Sequence, residues 1–117
     1  MEYSFYLVGE ATDSWSKLAA NGFVAADTDL PDGTAHQWKA TVTVEANKAY
    51  KIRGASDTDT PWFGWSSVED QGPTSIFVNA EDSDNFKFRT AGTYDVYLKQ
   101  LTGDSGYFKI AAVAKVS

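Results

Sequence analysis

His36-Gln37-Trp38-Lys39-Ala40-Thr41-Val42-Thr43-Val44-Glu45 decides the fold class. Trp38, Ala40, Val42 and Val44 point one way and Lys39, Thr41, Thr43 and Glu45 the other. That period of two is the signature of a half-buried strand. It assigns Trp38 to the core. Ala46-Asn47 then predicts a tight turn into 48–54, where Tyr50 and Ile52 alternate with Lys51 and Arg53.

The same pattern extends in both directions. Residues 3–9 are dense in aromatic and branched side chains and stop at Gly9, and 23–26 suits a short edge strand. Further strands are predicted over 76–79, 85–89, 93–101 and 107–116. In 93–101, Tyr94, Val96 and Leu98 share one face, and Asp95, Tyr97 and Lys99 the other. Ala91-Gly92 and Gly103-Asp104-Ser105-Gly106 supply turns. No window carries a helical stripe with caps, and 16–21 suits one turn at most. Seven to eight short strands predict an all-β, immunoglobulin-like antiparallel β-sandwich, with a single domain over 1–117.

Composition narrows the function classes. The 117 residues include four tryptophans, six tyrosines and seven phenylalanines but no cysteine, so neither disulfides nor thiolate metal sites hold the fold. A formal charge of −6 argues against a nucleic-acid partner, which requires a basic face. Residues 1–9 have no basic leader and only a short apolar run, which predicts neither a secretory signal nor membrane insertion. The chain is therefore expected either as an excised module of an extracellular or cell-surface protein or as a complete small protein such as a virion component.

Catalysis finds little support in the residues. The lone histidine, His36, opens a strand, where it reads as a surface or turn residue. Carboxylates occur at Glu10, Asp13, Asp57, Asp59, Glu69 and Asp70, but no spacing singles out the facing pair that glycoside hydrolysis needs. No catalytic residue, metal or cofactor is assigned. Asp57-Thr58-Asp59 and Glu81-Asp82-Ser83-Asp84 offer oxygen ligands for calcium, as in a calcium-stabilised adhesin-like domain, but neither matches an EF-hand loop. Turn chemistry explains both runs.

Two connections, 10–22 and 55–75, are longer than a sandwich needs, and both carry tryptophan: Trp15 in the first, Trp62 and Trp65 in the second. Pro61-Trp62-Phe63-Gly64-Trp65 either plugs one end of the core or presents an exposed indole platform. A platform of Trp15, Trp62 and Trp65 suits the axial C–H face of a pyranose, with Lys51 and Arg53 as donors to sugar oxygens.

Tyr6-Leu7-Val8-Gly9-Glu10-Ala11-Thr12 with Trp15 resembles the opening of the starch-binding domains in the SusE and SusF outer-membrane lipoproteins of gut Bacteroidetes. The resemblance continues through Trp38–Val44, Lys48–Arg53, Trp62–Trp65 and Gly92–Leu98, about 110 residues in order. It implies a non-catalytic β-sandwich carbohydrate-binding module in which aromatic residues stack along an α-1,4-glucan. Trp15, Lys51 and Trp62 or Trp65 fall where that family's site residues lie. The chain departs from the family in lacking a glycine-rich, tryptophan-bearing approach over 16–35, in a longer 66–75 stretch, and in having no cysteine for lipid attachment. The alternative expectation is a structural decoration or display module of a larger assembly such as a phage virion, with the aromatic loop contacting an assembly partner.

Overall fold

The computed structural model describes residues 4–12, 15–55, 60–102 and 108–116. Among them run nine strands: β1 (Ser4–Gly9), β2 (Val24–Ala25), β3 (Thr34–Val44), β4 (Tyr50–Ala55), β5 (Trp62–Phe63), β6 (Phe77–Asn79), β7 (Phe86–Phe88), β8 (Gly92–Leu101) and β9 (Phe108–Ala114). The first sheet has the order β1-β4-β7-β6, with β5 added beside β4, and the second the order β2-β3-β8-β9. All strand pairs are antiparallel. The result is an all-β sandwich, as the period-two pattern predicts. The strand absent from the sequence reading is β5, two residues long.

Alternation places the core. Phe5 and Leu7 of β1, Tyr50 and Ile52 of β4, and Phe86 and Phe88 of β7 face Ala40, Val42 and Val44 of β3 and Tyr94, Val96 and Leu98 of β8. Trp38 is half-buried against this cluster, with its ring 4.8 Å from that of Phe5. Aromatic rings dominate one end, where Phe77, Phe86 and Phe88 pack with centroids 5.1–6.0 Å apart. Such tilted and edge-on contacts add to the area that the rings bury.

The Ala46-Asn47 turn forms, with Asn47 left-handed at φ 62°, but it does not make a hairpin. β3 and β4 belong to different sheets, so the turn is an arch across the sandwich. Ala46 pairs with Phe88 of β7 in an isolated parallel bridge, and side chains take the neighbouring N–H groups. The Glu45 N–H donates to the Tyr50 hydroxyl at 3.1 Å, and the Ala49 N–H donates to Glu10 Oε1 at 2.7 Å. Burial pushes the Tyr50 phenol above its ordinary pKa.

The free edge of β1 is covered by the returning chain. Phe23 N–H donates to the Phe5 carbonyl at 2.9 Å and Asn21 Nδ2 to the Leu7 carbonyl at 3.2 Å, which blunts an edge open to pairing. On the outward face of the second sheet, two residues of the polar stripe are buried. Gln37 lies under residues 26–27, its backbone N–H donating to Asp27 Oδ1 at 2.9 Å and its Nε2 to the Ala26 carbonyl at 3.2 Å. That backbone donor first, and His36 second, hold the Asp27 carboxyl below its usual pKa. Lys99, 7% exposed, is held by both carboxylate oxygens of Glu69 at 2.7 Å.

Candidate functional site

The outward face of the first sheet carries the aromatic and cationic residues singled out in the sequence. Strand register sets Tyr6, Arg53 and Trp62 side by side across β1, β4 and β5. One pleat along β4, Lys51 points the same way. Tyr50 pairs with Phe86, so Asn85, the residue before Phe86, falls across from Lys51.

Two long connections close over this face. Trp15, from the segment between β1 and β2, has a left-handed backbone at φ 70°, unusual for a bulky residue. Arg53 holds it there: Nη1 donates to the Trp15 carbonyl at 3.2 Å. The same guanidinium lies over the Trp62 ring, 5.3 Å from its centroid. A cation over an indole face is attracted by the ring quadrupole, so one side chain ties both indoles. Arg53 Nε is buried without a hydrogen-bond partner among the described residues.

The 60–68 segment answers the question of plug against platform by doing both. β5 is short but alternates: Trp62 is 45% exposed, whereas Phe63 packs on Phe108 at 4.7 Å. Trp65 turns in as well, packing against the core as a half-buried residue. The expected pair is therefore split. Trp62 faces the groove and Trp65 does not line it.

This segment is latched to the connection between β6 and β7. Trp65 N–H donates to the Asp84 carbonyl at 2.6 Å, Ser66 N–H to Asp84 Oδ1 at 2.9 Å and Ser66 Oγ to Asp84 Oδ2 at 2.8 Å. Glu81, Ser83 and Asp84 all have positive φ, between 52° and 61°. Backbone held so far from its preferred basins persists only where neighbours over-determine it, and such segments cluster at functional sites. With both Asp84 carboxylate oxygens engaged by Ser66, the Glu81–Asp84 run is an architectural turn. Among the described residues no group of three or more His, Asp or Glu is arranged to hold a metal ion. Asp57-Thr58-Asp59 lies outside the described residues.

The outcome is an open groove of about 480 Å³ lined by Trp15, Lys51, Trp62, Asp82, Ser83 and Asn85. Volumes of ~300–1,000 Å³ are usual for small-ligand sites. Of the residues singled out in the sequence, Trp15, Lys51 and Trp62 line the groove together. Arg53 works from behind, as a tie between the indoles. Asp82 and Ser83, which the sequence offers only as turn residues or calcium ligands, line the groove as well, and so does Asn85, carried there by the register of β7 against β4. A second depression, about 410 Å³, lies on the opposite sheet beneath residues 26–31. Its lysines are committed, Lys99 to Glu69 and Lys39 to Asp95 at 3.8 Å. His36 stands apart from both, exposed and 3.3 Å from Asp27.

Comparison with protein-family models, with curated proteins and with solved structures finds no match to this chain.

Proposed function

We propose that this domain is a non-catalytic carbohydrate-binding module, with an α-glucan as its ligand. One observation carries the reading. Two indoles from connections far apart in sequence meet beside a lysine, an aspartate, a serine and an asparagine in one open groove. A pyranose has the complementary surface: an apolar C–H face for the rings and a rim of hydroxyls for mixed donors and acceptors. The α-glucan follows from the resemblance of the Tyr6–Thr12, Lys48–Arg53 and Gly92–Leu98 stretches to starch-binding domains.

Trp62 is the anchor in this reading. It is the exposed tryptophan of the groove and its ring is already oriented by Arg53. Replacement of a central aromatic anchor costs about 1–3 kcal/mol. Calorimetric titration of Trp62→Ala with a linear α-1,4-glucan oligosaccharide should accordingly show a loss of about 10- to 100-fold in affinity. The variant should stay folded, since the Trp62 ring lies outside the core. Unchanged affinity in folded Trp62→Ala would remove the stacking platform and the reading with it.

A further inference from the structure

Beyond Trp15 the groove does not end. A second basin of about 310 Å³ adjoins it and shares Trp15, Asp82 and Asn85 with the first. Its remaining walls include Glu10 and Lys87. The two basins differ in chemistry: the first has the exposed Trp62 ring, the second an acid and a base. Lys87 is one residue beyond Phe86 on the outward side of β7, as Lys51 is one beyond Tyr50 on β4. Neither lysine is paired with a carboxylate among the described residues.

Asn85 sits where the basins join. It is 6% exposed, yet it lines both. Its backbone is fully engaged, the N–H donating to the Asp82 carbonyl at 2.9 Å and the C=O accepting from Ala80 N–H at 3.1 Å. Its carboxamide has no partner among the described residues. A carboxamide that opens on a groove with its hydrogen-bonding capacity unspent inside the fold is poised for a ligand. An amide offers a donor and an acceptor side by side, the pattern that two neighbouring hydroxyls complete.

We infer that Asn85 is a specificity-determining residue at the junction of a two-part site, gripping adjacent hydroxyls of a sugar chain that extends from the Trp62 basin into the Glu10–Lys87 basin. The inference rests on the carbohydrate reading and adds to it a minimum ligand length and a second, polar subsite. A single ring fills only the aromatic basin. A longer chain also reaches Lys87 and the Glu10 oxygen that Ala49 leaves free.

The test is calorimetric titration of the intact protein with glucose, maltose, maltotetraose and maltohexaose. Affinity should rise by about tenfold or more between the shortest and longest ligands that bind. Lys87→Ala should lose about fivefold for maltohexaose and nothing for the shortest ligand that binds. Lys87 is on the solvent side of its strand, so this variant keeps its fold. Glu10→Gln, which preserves the acceptor for Ala49 N–H, should behave in the same way. Asn85→Asp, which keeps the shape but removes the donor, should weaken every ligand. Glucan binding that is independent of chain length, or unchanged by Lys87→Ala, would overturn the two-part site and leave the carbohydrate reading standing. No binding of any glucan by the wild-type protein would overturn both.

Discussion

Gly64→Ala should destabilise the domain by about 3 kcal/mol and lower the melting temperature by about 10 °C. A β-carbon at Gly64 would collide with the Asp84 carbonyl oxygen and lie 3.0 Å from its carbonyl carbon. The obstacle is backbone, which has no rotamer to yield. Moving Asp84 aside would also break its bonds to Trp65 N–H and to the Ser66 N–H and hydroxyl. The fall in stability should come with at least a tenfold loss of glycan affinity at a temperature where the variant is still folded. Asp82, Ser83 and Asn85 ride on the displaced segment. Thermal unfolding followed by circular dichroism, with titration alongside, reads both. A variant as stable as the parent would show that the two connections are not latched at this point.

Arg53→Met should reduce affinity by about tenfold while leaving the fold intact. The substitution keeps an apolar stem of similar length but removes the donor to the Trp15 carbonyl and the cation over Trp62. Trp15 would then lose a contact that helps keep a bulky residue at positive φ, and the indoles would no longer be held in one arrangement. Arg53→Lys should restore little. An ammonium cannot stack as a plane on indole while forking to a carbonyl, so the charge alone does not reproduce the tie. Recovery of full affinity by Arg53→Lys would instead assign Arg53 a simple electrostatic role.

The layers of this fold were legible wherever a strand was long enough to alternate. Trp38 to Val44, Tyr50 to Arg53 and Tyr94 to Lys99 each announce their buried face by period alone, because burying one side of a sheet leaves no other solution. The Ala46-Asn47 segment shows where that ends. A left-handed asparagine specifies a reversal but not which sheet the next strand joins, and the arch depends on the Tyr50 hydroxyl at the start of β4 and on Glu10 from just past the far end of β1. Lys99 and Gln37 look like solvent-facing residues in sequence, and distant partners bury them.

The groove divides in the same way. Trp15 and Trp62 were visible because tryptophan in a long connection calls for a reason, and Lys51 because it alternates with Tyr50 and Ile52 in the strand beside them. The separation of Trp62 from Trp65 was not, because it depends on two residues of β5 pairing with β4 before the chain turns at Gly64. Nor was the place of Asn85 in the groove legible. Nothing around it is distinctive until strand pairing sets it across from Lys51 and the 62–67 segment fixes the turn that precedes it.

Native affinity electrophoresis of the wild-type protein in gels containing soluble starch, xylan or mixed-linkage β-glucan tests the proposed activity most directly. A glucan-binding groove built on Trp15 and Trp62 predicts retardation in starch and free migration in the other two. Free migration in all three gels would contradict it, and the exposed Trp62 would then be better explained as an anchor for a protein partner.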